Sequence, residues 1–168
     1  MCKINFKKTL PYIGSILFMI ILSYIYFSPD ILEGKVLFQG DTQQGIAIGQ
    51  EGKAFREATG ETTRWTNSLF SGMPNFQISP SYANNYWMGQ IGRIYHLGLQ
   101  SPASLVFIMM LGFFILLSAM KIRWYLALVG AIAYAFSSYF FIIIGAGHIW
   151  KFITLAYIPP TIAGIILA

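Results

Sequence analysis

Charge is what this chain has least of. Of its 168 residues 10% are charged, against 56% apolar, with a mean hydropathy of +0.61. Soluble domains carry about 25% charged residues, so an ordinary water-soluble globule is excluded. A disordered chain needs low hydrophobicity and high charge, and is excluded with it. There is one cysteine, Cys2, which leaves no internal disulfide and no cysteine-based zinc site. P-loop, dinucleotide-binding and His-rich metal motifs are absent, as is a Ser-His-Asp arrangement. The net charge of +5 would fit nucleic acid, but no cluster of basic residues with interleaved aromatics exists to bind it. The basic residues stand instead at the edges of apolar runs, as membrane proteins place them.

Four such runs are present. The first covers 10–27, 18 residues without a charge. At 1.5 Å per residue it reaches ~27 Å, close to the roughly 30 Å of a bilayer's hydrocarbon. Lys3, Lys7 and Lys8 precede it. No small-x-small cleavage site follows, so it reads as an uncleaved anchor. The others cover 103–120, 124–145 and 152–168. The expected fold is an all-α polytopic membrane protein of four transmembrane helices. A basic segment, 1–9, leads in, a cytoplasmic turn spans 121–123, and an outer turn spans 146–151. Alternating spans put Lys3, Lys7, Lys8, Lys121 and Arg123 on one side, which the positive-inside rule makes cytoplasmic; Lys151 is the exception. The last run ends at Ala168 without a polar flank, so the chain is expected to be the N-terminal piece of a longer protein.

The segment 28–102 is then a large extracytoplasmic loop. It holds five basic residues and all six acidic ones, so it is near neutral. Loops beyond about 15 residues tend to be functional. Asp41 followed by Gln44 predicts a capped helix running to about Thr59, stopped by Gly60. Gly45, Gly49 and Gly52 share one of its faces, which suggests close approach to a helix or ligand. Lys53 and Glu57 are spaced to pair. Gln77-Ile-Ser-Pro80 reads as extended chain. From Tyr86 to Leu99, an apolar stripe of Trp87, Ile91, Ile94, Tyr95 and Leu99 predicts a helix lying in the membrane surface. Within the runs, Ser137 and Ser138 read as helix–helix contacts. Pro159-Pro160 reads as a kink or break in the fourth span, the feature that would favour a transporter.

Several blocks together resemble the bacterial YfhO family, in its Bacteroidetes-type members. They are Leu32-Glu-Gly-Lys-Val-Leu-Phe-Gln-Gly-Asp-Thr-Gln-Gln44, the run from Trp65 to Pro74, Gln77 to Pro80, and Gly147-His148 with Lys151. Those relatives are longer, with more spans, and are similar to GT-C class glycosyltransferases. The resemblance implies a GT-C-like N-terminal part in the bacterial cytoplasmic membrane. It implies transfer of a sugar from a polyprenyl-phosphate donor to a cell-envelope acceptor outside the membrane. Asp41 matches the catalytic carboxylate of the first outer loop, as base or as ligand of a divalent metal such as Mg or Mn. Gln43, Gln44, Trp65, Asn67, His148 and Lys151 are the implied substrate contacts, the last two for phosphate. Where the relatives often have polar residues between the His and the Lys, this chain has Ile149 and Trp150. The rival readings are a transporter or flippase subunit and a non-catalytic membrane assembly partner.

Overall fold

A computed structural model describes residues 6–77 and 86–168. The chain is mostly helical. Its elements are α1 (Phe6–Tyr26), α2 (Ser28–Leu32), α3 (Gly40–Thr59), β1 (Trp65–Thr66), β2 (Met73–Pro74), a 3-10 turn (Asn75–Gln77), α4 (Tyr86–Tyr95), α5 (Ala103–Ala119), α6 (Trp124–Ala135), α7 (Ser138–Ala146) and α8 (Ile149–Leu167). Most of the expected extended chain 77–80, along with Cys2 and Lys3, lies outside the described residues.

The centre of the fold is α5. Its apolar residues fall on every side, and a helix hydrophobic all round is one that gets buried. Every residue from Ala103 to Met110 is buried. It packs against α8, α6 and α1. The neighbours come close because they offer small side chains. On α6 the buried residues are Ala127, Ala131 and Ala135, one per turn, the small-residue spacing that lets helices approach where no hydrophobic drive separates core from lipid. On α1, Ser15 and Ser23 face inward with Met19. Their hydroxyls donate to the carbonyls of Pro11 (2.8 Å) and Met19 (2.9 Å), which satisfies a polar group inside an apolar contact. The opposite face of α1 shows Leu17, Phe18, Ile21 and Ile25.

Two helices are long and apolar enough to cross a membrane: α1 over Thr9–Tyr26, and α8. The third expected run is not one straight helix. It divides into α6 and α7, bent by 46°. Ser137 is extended at the break (φ −67°, ψ 142°), and a serine pair is a known place for a sharp kink. Ser137 and Ser138 therefore end one helix and start another, and both are exposed. Tyr26 packs edge-on against Phe136 at 5.3 Å and lies 4.9 Å from Phe141, so the end of α1 props the bend. If the bent pair counts as one span, there are three candidates among the described residues.

The fourth run differs in the other direction. α8 continues unbroken through Pro159 and Pro160. Pro160 has no N–H, so the carbonyl four residues earlier, on Ala156, loses its helical donor. The Tyr95 hydroxyl lies 3.2 Å from that carbonyl and 3.0 Å from the carbonyl of Ile108. One phenol proton, shared between the two carbonyls, therefore offsets the proline's gap in part and ties α4 to α5 and α8. Burial, then the neighbouring Tyr157, pushes the Tyr95 phenol well above its ordinary range. Gly112 makes the close approach possible: a Cβ there would stand 2.6 Å from the Tyr95 hydroxyl and 2.7 Å from the Ala156 carbonyl.

The surface helix ends earlier than its stripe. α4 stops at Tyr95, because Leu97 and Gly98 both have positive φ (51° and 66°). Trp87, Ile91 and Ile94 remain exposed along it, while Tyr95 turns inward.

Candidate functional site

The site is built where α3 begins. Gln39, not Asp41, stands at the N-cap, and no side chain closes the cap. Asp41 sits one residue inside the first turn. Its carboxylate is engaged elsewhere: Oδ2 accepts from His148 Nδ1 at 2.9 Å. A carboxylate in a first helical turn is also favoured by the helix dipole. The other end of α3 matches expectation. Gly60 takes the left-handed conformation (φ 75°) and its N–H donates to Arg56, and Lys53 reaches Glu57 at 3.8 Å.

His148 is placed by the turn between α7 and α8. Gly147 adopts φ 94° and closes α7, and the His148 N–H donates back to the Ile143 carbonyl at 3.0 Å. This is the geometry of a Schellman stop. The same glycine is needed for space. A Cβ on Gly147 would lie 3.0 Å from both the amide nitrogen and the hydroxyl of Thr42. Two further bonds hold the two pieces together. Gln39 Nε2 donates to the Ile144 carbonyl at 2.6 Å, and the Thr42 hydroxyl donates to Gln39 Oε1 at 3.0 Å. Gln39 and Thr42 were given no role by the sequence, although both stand in the block 32–44. Asp41 and His148 are thus brought together by a small polar interlock between residues more than a hundred positions apart. Their side chains are about half exposed (48% and 51%), open to solvent.

Comparison with protein families, with curated proteins and with solved structures finds no match to this chain. What the site can do rests on its own geometry.

Of the other expected contacts, Lys151 is exposed and its ammonium lies over the Tyr139 ring, 5.5 Å from the centroid. It follows His148 by three residues, in the first turn of α8, of which His148 is the N-cap residue. Gln43 and Gln44 are exposed, and their side chains make no hydrogen bond among the described residues. Trp65 and Asn67 are not part of this cluster. Trp65 Nε1 donates to Asn67 Oδ1 at 3.2 Å, and Asn67 donates from its side chain to Glu51 at 3.1 Å. Glu51 stands ten residues along α3 from Asp41, or ~15 Å by helical rise. Among the described residues no three of His, Cys, Asp and Glu come together as a metal site. Asp41 and His148 make only two donors, already bonded to each other, and do not form a metal cage by themselves.

Gly45 and Gly49 also fail to do what their spacing suggests: a Cβ at either would meet nothing within 4 Å, and at Gly52 only ordinary contacts. The strong feature of that region is Glu51, which the sequence did not single out. Its Oε2 accepts from the Thr66 hydroxyl (2.6 Å), the Asn67 N–H (2.8 Å), the Ser68 N–H (2.9 Å) and the Ser68 hydroxyl (2.8 Å). The hydrogen bonds from Thr66 first, then Ser68 and Asn67, pull its pKa down to about 2. Glu51 thereby fastens the β1–β2 hairpin to α3. A carboxylate depressed in the folded state gives its stabilisation in full above the ordinary value and loses it as pH falls through the folded one. For Glu51 that window runs from 4.5 down to about 2. A carboxylate carbon titration should find its midpoint near 2; a midpoint near 4.5 would show the clamp absent. Glu51→Gln should leave the hairpin cleaved several-fold faster by protease at neutral pH, with the helical bundle intact.

Proposed function

We propose that this chain is the N-terminal part of a membrane glycosyltransferase-like protein of the YfhO type. It would move a sugar from a polyprenyl-phosphate donor to a cell-envelope acceptor on the outer face of the bacterial cytoplasmic membrane. The observation that carries the reading is the Asp41–His148 pair, open to solvent at the end of the bundle where α8 begins. The four-span topology belongs to the same proposal. α5, with 17 residues, is at the short end of the ~17–25 residues that span a bilayer; α6 and α7 together supply the third crossing.

The chemistry follows from the pair. With a neutral imidazole, Nδ1 must carry the proton to bond Asp41, which leaves the Nε2 lone pair free as a base. An acceptor hydroxyl attacks the sugar's anomeric carbon. Its proton passes to His148 Nε2, the new C–O bond forms, and the bond from the anomeric carbon to phosphate breaks with its electrons going to the leaving phosphate. Asp41 orients the ring and stabilises the imidazolium that forms. Lys151, in the first turn of α8, offers charge to the leaving phosphate. Asp41→Asn tests this. Asn Oδ1 still accepts from Nδ1–H, so the interlock survives while the negative charge is lost. Loss of sugar transfer with normal membrane insertion supports the reading; unchanged transfer overturns it. The transporter reading drew on a kink or break at Pro159-Pro160, where α8 is continuous; the break lies instead between α6 and α7.

A further inference from the structure

The two ends of the bundle differ in charge. Tyr12 lies 6.0 Å from Phe114, and the Tyr24 hydroxyl accepts from the Gln100 N–H at 3.4 Å. Residue numbers rise along α1 as they fall along α5, so the two helices are antiparallel. Lys7 stands five residues before Tyr12 and Lys121 seven after Phe114, each roughly 8–10 Å further along. Arg123 is the N-cap of α6. The start of α1, the end of α5 and the start of α6 therefore share one end. Lys7, Lys121 and Arg123 are all exposed there, and the ion pairs among the described residues lie elsewhere. All six acidic residues fall at 30–61, past the other end of α1.

Lys121 stands where a glycine is expected. α5 ends in a Schellman stop: the Ile122 N–H donates to the Leu117 carbonyl at 3.0 Å, and the Lys121 N–H to the Ser118 carbonyl at 2.9 Å. Such a stop needs a left-handed residue, and Lys121 has φ 61°. α3 and α7 use glycine, Gly60 and Gly147, for their left-handed stops. A Cβ makes this conformation costly. A lysine kept there at that cost points to a use for its ammonium. The level of the three cations is marked on both sides. The apolar window of α1 begins at Thr9, two residues after Lys7. Trp124 and Tyr125 are exposed beside Arg123, as aromatic residues are where a membrane meets water, and Arg123 Nη1 donates to the Tyr125 hydroxyl at 3.1 Å.

We infer that this end of the bundle binds the phosphate of an anionic phospholipid through Lys7, Lys121 and Arg123. Arg123 meets phosphate oxygens with a planar fork of donors, and the lysines add positive charge. Cations without acidic neighbours supply the complementarity, and the bilayer brings headgroups to their level. Such binding is independent of sugar transfer.

The test is native mass spectrometry of the detergent-extracted protein titrated separately with phosphatidylglycerol and phosphatidylcholine. The wild-type chain should retain phosphatidylglycerol in preference. Each cation beside an anionic lipid contributes about fivefold in affinity. Replacing all three (Lys7→Gln, Lys121→Gln, Arg123→Gln) should therefore weaken retention about a hundredfold. Removing as many cations from the other end (Lys35→Gln, Lys53→Gln, Arg56→Gln) should leave it unchanged. Lys121→Gly separates charge from fold. It should weaken retention about fivefold and melt no lower than the parent, because glycine accepts φ 61° without strain. Equal retention of the two lipids by the wild-type chain, or an equal effect of the two triple variants, would overturn the inference. So would full displacement by millimolar inorganic phosphate, the behaviour of a site for the free anion.

Discussion

Asp41→Asn and His148→Ala should each lower sugar transfer by about 10²–10⁴-fold, the usual contribution of a positioned acid–base group. The double variant should be scarcely worse than either single one, because residues that act as a unit are strongly non-additive. The two differ in what they do to structure. Asparagine keeps an acceptor 2.9 Å from His148 Nδ1, so Asp41→Asn should insert and melt like the parent. His148→Ala removes the bond but leaves the contacts of Gln39 with Ile144 and Thr42. A purely structural pair would give the reverse order: Asn silent, Ala harmful. Measuring transfer and thermal unfolding on the same membrane preparations separates the two roles.

The largest stability effect is expected at Gly112. An added Cβ meets the Tyr95 hydroxyl at 2.6 Å, the Ala156 carbonyl at 2.7 Å and Pro160 Cδ at 3.1 Å. One of these is backbone, so a whole helix must give way. Overpacking costs ~1–3 kcal/mol, and loss of the Tyr95 bond adds about 1 kcal/mol. Gly112→Ala should therefore destabilise the bundle by roughly 2–4 kcal/mol. Gly130→Ala is the control. Its Cβ would stand 2.7 Å from Leu117 Cδ1, the far end of a side chain that can rotate away, and the cost should stay below about 1 kcal/mol. Equal melting of the two variants in detergent would show that α5 and α8 are not in contact at this point.

The parts legible in the sequence are those with local causes. Gly60 ends α3 because a left-handed residue is needed there, and Lys53–Glu57 follows from helical spacing. The apolar runs announce helices by length. Their alternation alone suggested that Asp41 and His148 share one side, and the structure goes further by bonding them. What was not legible depends on distant partners. Nothing local distinguishes Asp41 as a cap from Asp41 as a partner of His148, since the deciding contact lies more than a hundred residues away. Glu51 is an ordinary helix glutamate until the donors of Thr66, Asn67 and Ser68 fold over it. The serines at 137–138 read as helix–helix contacts and the prolines at 159–160 as a kink or break. The outcome is the reverse: Ser137 takes an extended conformation and the run breaks there, while α8 stays continuous and Tyr95 supplies a donor to the carbonyl that Pro160 leaves unpaired. The alanine stripe 127, 131 and 135 was not singled out in the sequence and is seen only once α6 packs on its neighbours.

The central claim is that residues 41 and 148 meet outside the lipid. It is tested most directly by replacing both with cysteine in a Cys2→Ser background and treating intact cells with a short, membrane-impermeant bifunctional thiol reagent. The account predicts an intramolecular link between positions 41 and 148, seen as a joined peptide after proteolysis, and none when cysteine is placed at 51 instead of 41. No link at 41, or labelling only after the cells are opened, would contradict it.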